Sequence, residues 1–171
     1  MLDKLKKLIS KINLNNNYNE LKLLLMIHPE PYARPRKSRK LELLGKHNVF
    51  YNPRQKFKNK LIKEIKNQLP DDFECIEGEV VLNLIFGITA PKSISNSETK
   101  SALIYEDILH PLTRPDIDNY SKVILDALNN LVFEDDSQVF ELNSKKVYVV
   151  KEEDEFISIH LRYRQKPIKL R

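Results

Sequence analysis

A chain of 171 residues with a formal net charge of +5 holds one domain with a real core and leaves no comfortable room for two. Its ordinary apolar content and abundant charge describe a soluble globular protein, and no apolar run approaches the length that spans a bilayer. Cys75 is the single cysteine, which excludes an internal disulfide and any zinc cage built on thiolates and fits a reducing cytoplasm.

Residues 1–12 place Leu2, Leu5, Leu8, Ile9 and Ile12 at helical spacing with lysines on the other face, and they lack the apolar block and cleavage site of a signal peptide. Such a helix can dock on its own domain or on a partner subunit, or lie on a membrane surface; docking is the reading adopted. The asparagine-rich stretch 13–19 is a hinge, so residues 1–18 form an N-terminal helical extension. Residues 20–28 read as a buried strand. Pro29, Pro31 and Pro35 then enforce an extended loop, because proline fixes its own backbone angle and removes a donor. Residues 55–69 form a basic helix with Phe57, Leu61, Ile62, Ile65 and Leu69 on its apolar side. Residues 79–89 form a second buried strand, and 91–110 a long polar connection of the kind that is usually functional or mobile.

A helix over about 118–131 follows, and then residues 138–150 and 156–163, predicted to pair as an antiparallel hairpin. The order β-α-β-α-β-β describes a small α/β (α+β) fold: a mixed sheet of about four strands with two main helices.

Basic residues crowd the first half. Arg34, Arg36, Lys37, Arg39, Lys40, Lys46, Arg54, Lys56, Lys58, Lys60, Lys63 and Lys66 are opposed only by Glu42 and Glu64 between residues 34 and 66. A block this lopsided points to a polyanion, nucleic acid being the commonest. Tyr32, Phe50, Tyr51 and Phe57 are interleaved with it and could stack on unpaired bases; Phe50 and Phe57 are expected in the core, Tyr32 and Tyr51 stay open. His28, His47, His110 and His160 show no ligand spacing, and three glycines make no phosphate loop, so no nucleotide cofactor is expected.

The chemistry concentrates between residues 113 and 141. Asp116 stands at the helix entry after Pro115, and Asp118, Lys122 and Asp126 recur one turn apart on the polar side, opposite Ile117, Tyr120, Ile124, Ala127, Leu128 and Leu131. Read plainly, Asp116 caps the helix and the other three form an i,i+4 ion-pair ladder, each pair stabilising by a few tenths of a kcal/mol, about 0.2–0.5. Asp135 and Asp136 follow where the helix gives way to a strand. A magnesium ion that activates water needs two or three carboxylates with open positions for water and phosphate, and a lysine beside it offsets developing charge. Asp116, Asp118, Asp136 and Lys122 supply that inventory.

The run Arg-Pro-Asp-Ile-Asp-Asn-x-x-Lys-x-x-x-Asp-Ala-Leu from Arg114, with Asp-Asp-Ser-Gln-Val from Asp135, resembles the RusA family of Holliday-junction endodeoxyribonucleases, common in phages and prophages. Ala33-Arg-Pro-Arg36 and Tyr51-Asn-Pro-Arg-Gln55 resemble the phage-type N-terminal half, and the likeness covers roughly residues 20 to 163 within a domain at 19–171. The resemblance implies a homodimer that nicks four-way junctions symmetrically and needs Mg²⁺, with Mn²⁺ as substitute. Matched by motif, the catalytic carboxylates are Asp116, Asp118 and Asp136 and the catalytic lysine is Lys122; Asp135 joins the metal set, and Asn119 also falls on a family position. Arg34, Arg36, Lys37, Arg39, Lys40, Arg114 and Asn119 are the expected DNA contacts. The N-terminal extension departs from the compact members.

A helix from 118 to 131 separates its ends by about 20 Å, while residues 132–136 reach back only about 17 Å fully extended. Either the helix stops early, or the Asp135–Asp136 corner also approaches a site built by the partner subunit. Two other functions compete: a branched-DNA-binding protein whose acids are only caps and ion pairs, and a metal nuclease of broader taste that cuts flaps or forks.

Overall fold

The computed structural model describes residues 18–38, 43 and 50–167. The predicted N-terminal helix, Arg39, Lys40, Lys46 and His47, and the last four residues of the basic tail lie outside the described residues. The elements in order are β1 (Asn19–Leu25), β2 (Arg36–Lys37), β3 (Phe50–Tyr51), α1 (Gln55–Gln68), β4 (Val80–Thr89), α2 (Lys92–Ser95), α3 (Glu98–Tyr105), α4 (Ile117–Leu128), β5 (Val139–Val149) and β6 (Phe156–Tyr163). Short 3-10 turns cover Asp136–Gln138 and Glu152–Asp154.

The main sheet is mixed, with strand order β1-β6-β4-β5. Strands β1 and β4 both run antiparallel to β6, and β5 runs parallel to β4. The expected hairpin between the last two strands is therefore not formed: β4 lies between them. The reason is in the residues. Val80, Leu82, Leu84 and Phe86 of β4 are fully buried and need strand neighbours on both sides. β5 carries Glu141, Lys145 and Lys146 and suits an edge, where charge blunts further pairing. Its link to β6 crosses the end of β4 and is fastened there by Glu155, whose carboxylate accepts from the Thr89 N–H (3.0 Å) and hydroxyl (2.7 Å) and meets His28 Nδ1 at 2.6 Å.

One face of the sheet is covered by helices. Leu23 and Leu25 of β1, Ile157, Ile159 and Leu161 of β6 and the inward side of β4 pack with Phe57, Leu61 and Ile65 of α1 and with Tyr120, Val123, Ile124, Ala127 and Leu128 of α4 in a single core. Both helices owe this to apolar residues three and four apart on one side. Phe86 and Tyr120 stack across the interface, ring centroids 5.2 Å apart. Phe57 is core as expected, but Phe50 is not: it is exposed on the small β2–β3 ribbon, where Lys37 lies 5.9 Å from its ring centre. The other sheet face leaves Leu24, Met26 and Ile85 exposed.

Two local departures matter for the site. The 91–110 connection is not an open loop: it winds into α2 and α3, and Ser97 caps α3 by accepting from Lys100 N. Neither helix has the apolar periodicity that betrays a helix in sequence. And α4 stops at Leu128, three residues earlier than expected. Asn130 adopts a left-handed backbone (φ 58°), a conformation asparagine tolerates better than most residues, while Leu131 and Val132 N–H groups turn back onto Leu128 O. The reversal sends Val132 and Phe133, both fully buried, into the core.

Candidate active site

Parallel pairing of β4 and β5 requires a crossover, and α4 is its last element, laid against the inner side of β5. Two contacts from β5 fix the beginning of that helix. Ser144 Oγ lies 2.8 Å from the buried Ser121 Oγ, which also donates to Ile117 O. Lys146 Nζ donates to the carbonyls of Thr113 and Pro115, both at 2.9 Å, and so holds the segment that carries Arg114 and Asp116. The Arg114–Pro115 peptide within it is cis.

Between α4 and β5 runs an open cleft of about 550 Å³ lined by Ile117, Asp118, Ser121, Lys122, Leu125, Asp126, Asp136, Leu142 and Ser144. It gathers Asp118, Lys122 and Asp136 of the expected set. Asp116 sits just outside the lining, at the N-cap position, yet its side chain makes no capping hydrogen bond. Its carboxylate is thus spared the structural duty the helix entry would have given it. Asp118 accepts a long contact from Asn119 Nδ2 (3.3 Å). The i,i+4 ladder is not formed either: among the described residues Lys122 makes no ion pair, and its ammonium rests 4.7 Å from the centre of the Tyr32 ring.

The second acidic pair divides its labour. Asp135 opens the 3-10 turn as a capping box, its Oδ1 taking the Ser137 N–H (2.9 Å) while its own N–H donates to Gln138 Oε1 (2.9 Å). The Ser137 side chain and, next, its N–H lower the pKa of the Asp135 carboxyl below the usual carboxylate value. Asp136, exposed, is the member that faces the cleft. Gln138 Nε2 anchors the corner by donating to Ile76 O and Gly78 O, each at 2.9 Å.

The early end of α4 and the reversal behind it answer half of the reach difficulty, because Asp136 borders the same cleft as Asp118. Convergence does not follow. Among the described residues no three His, Cys, Asp or Glu side chains come together at metal-ligand spacing. Of the expected DNA contacts, Arg34 is exposed on the proline loop and Arg36 and Lys37 on the short strand β2 that follows it. That loop is tied to α4 by Tyr32 N–H donating to Asn119 O (2.8 Å). Arg114 is exposed beside a separate small cavity with Lys146 and Tyr148.

Sequence reasoning gave no role to Tyr32 against the lysine, to Gln138 or to Lys146. Only Gln138 left a signal: an aspartate three residues before a glutamine is a capping-box pattern. The crossover helix and edge strand of the mixed sheet thus enclose a carboxylate- and lysine-lined cleft, with a basic loop fastened alongside. The sequence pattern of the endodeoxyribonuclease RusA family matches residues 27–159, most of the chain, and the protein belongs to that family. A segment of 73 residues is 44% identical to the uncharacterized protein YqaN of Bacillus subtilis (strain 168), covering 43% of this chain and 51% of that protein. The matched segment thus spans about half the length of that curated relative.

Proposed function

We propose that this protein is a divalent-metal-dependent endonuclease that resolves four-way DNA junctions by paired, symmetric nicks, in DNA recombination and repair in the cytoplasm of a bacterial or phage-infected cell. The observation that carries the reading is the cleft itself: Asp118 and Asp136 border it beside Lys122, which among the described residues forms no ion pair with a carboxylate. An ion-pair ladder would have answered a purely structural need, and the lysine forgoes it.

The donor set consists of carboxylate oxygens, which suit Mg²⁺ or Mn²⁺. Asp116, Asp118 and Asp136 would hold the ion, all three being exposed and free of capping bonds. When bound, it would supply activation of water and polarisation of the scissile phosphate. Lys122 faces the negative charge that develops on the phosphate. Asn119 steadies Asp118, and Arg34, Arg36 and Lys37, with Arg39, Lys40 and Arg114, hold the arms of the junction. Asp135 serves chiefly to cap the corner that presents Asp136.

The ligand set closes in a homodimer. Asp116 and Asp118 stand at the start of α4 and Asp136 follows its end, and twelve helical residues rise about 18 Å. A two-fold axis that sets two such helices side by side in opposite directions brings each Asp136 towards the partner subunit's first turn, and a two-fold enzyme matches the symmetry of a four-way junction.

The test is cleavage of a labelled synthetic four-way junction, with flap, fork and linear duplex controls, as Mg²⁺ or Mn²⁺ is titrated. Metal-dependent paired nicks in the junction are expected. Binding without cleavage at any metal concentration would identify a branched-DNA-binding protein instead, and equal cutting of flaps and forks a broader nuclease.

A further inference from the structure

Lys122 has two aspartates within one turn, Asp118 and Asp126, and an ion pair with either would be the ordinary outcome on a solvated helix. It takes neither. Its ammonium lies over the face of Tyr32, 4.7 Å from the ring centre, inside the range at which an aromatic quadrupole attracts a cation.

The ring is held by the backbone beneath it. Tyr32 N–H donates to Asn119 O on α4 at 2.8 Å, fastening the loop to the helix three residues from Lys122. Pro31 precedes the ring and restricts the approach, Pro29 is buried, and Glu30 forms an ion pair with Arg54 at the head of α1. Tyr32 is therefore a half-buried plate on a loop fixed at the ring and just before it, presented to a lysine whose four-carbon stem would otherwise be free.

We propose that Tyr32 is a positioning residue for Lys122: its ring sets where the ammonium stands in the cleft and keeps it from pairing with Asp118 or Asp126. The inference rests on the nuclease reading of the cleft. A lysine has three donors on a flexible stem and gains precision only from its surroundings. A neutral π face restrains it without cancelling its charge, so the full positive charge stays available to a phosphate. A carboxylate partner would restrain it and neutralise it together. Because the same stretch of chain carries Arg34 and Arg36 two and four residues on, the plate also sets the register between the DNA-gripping segment and the lysine. Stacking of Tyr32 on an unpaired base is the competing use of the ring, and the two make opposite demands on substitution.

The experiment compares Tyr32→Phe and Tyr32→Ala, each alone and with Lys122→Met, in the full chain. Single-turnover junction cleavage in Mg²⁺ is measured beside junction affinity in metal-free buffer. Tyr32→Ala should slow cleavage on the order of tenfold, as misplacement of a catalytic group does, with affinity within about twofold. Tyr32→Phe, which keeps the plate, should cleave within about twofold of the parent. In the Lys122→Met background Tyr32→Ala should add nothing. Weakened affinity with unchanged cleavage of bound junction, or a full additional loss without Lys122, would overturn the proposal and favour base stacking.

A second measurement does not depend on catalysis. The Lys122 Cε protons, assigned by their disappearance in Lys122→Met, should be shifted upfield by the ring in the parent and in Tyr32→Phe, and return to ordinary lysine positions in Tyr32→Ala. Ordinary positions in the parent would overturn the proposal even if the junction is cut as expected. A shifted signal in a protein that cuts no junction would leave the contact standing and sink the nuclease reading alone.

Discussion

Replacing Gln138 tests whether the acidic corner is built by the side chain that the structure names. Its Oε1 accepts from Asp135 N, and its Nε2 donates to Ile76 O and Gly78 O, all at 2.9 Å. A neutral hydrogen bond contributes about 1 ± 0.5 kcal/mol net, and more is lost where a part-buried group is stranded. Water reaches the exposed Asp135 N–H after truncation, whereas the two carbonyls are part-buried, so Gln138→Ala should destabilise the protein by about 2 kcal/mol. For a chain of this size that is a fall in Tm of about 4–8 °C. Gln138→Glu is more telling. It keeps the acceptor but loses both donors and presses a carboxylate on two carbonyl oxygens. Its folded-state pKa is then raised, so it is destabilising above that pKa and recovers as pH falls through it. Urea unfolding followed by far-UV circular dichroism at pH 7 and pH 5 reads both. A loss below about 0.5 kcal/mol in Gln138→Ala, or a glutamate variant as stable as the parent at pH 7, would mean that Gln138 does not hold the corner.

Glu155 should make folding acid-sensitive. Burial pushes its carboxyl up, but hydrogen bonds from the Thr89 N–H and hydroxyl and the His28 contact outweigh that and hold it below the ordinary glutamate value. A depressed folded-state pKa contributes stability that is whole above the unfolded value, about 4.3, and is lost as pH falls through the folded one. Urea titrations from pH 6 to pH 3 should show this slope in the parent and a shallower one in Glu155→Gln. In Gly78→Ala the added Cβ would stand 2.5 Å from Arg164 O and 3.0 Å from Lys166 O. Backbone must shift, and a loss of about 1–3 kcal/mol is expected by thermal unfolding. Mixing Asp118→Asn with Asp136→Asn protein, each inactive alone, should restore nicking, because one composite site in a mixed dimer is free of both substitutions. No restoration would place the three acids in one chain.

The helices that position the cleft were legible because Phe57, Leu61 and Ile65, and Tyr120, Ile124 and Leu128, recur at helical spacing. The strands were legible as apolar runs. Their partners were not. Alternation in residues 156–163 shows a half-buried strand, but nothing local says that β4, separated from it by three helices and β5, is its neighbour. The order depends on which strand can bury most when flanked twice, a property of the assembled sheet. The acids at 116, 118 and 136 were legible as a motif, and the end of α4 was not, since Leu131 continues the apolar stripe. Only the left-handed turn at Asn130 ends it. Tyr32 and Lys146 act through contacts spanning many residues, and no spacing announces those.

In the proposed nuclease site Asp118 and Asp136 help to hold the metal and Lys122 supplies the cation that meets the phosphate. The most direct measurement is metal-dependent cleavage of a four-way junction by the parent, Asp118→Asn and Asp136→Asn, with junction affinity measured on the same preparations. Affinity should stay within about twofold of the parent and nicking should fall about a hundred- to a thousandfold in both variants, the scale lost when a catalytic electrostatic partner is removed. Undiminished magnesium-dependent nicking by Asp118→Asn would contradict this site assignment.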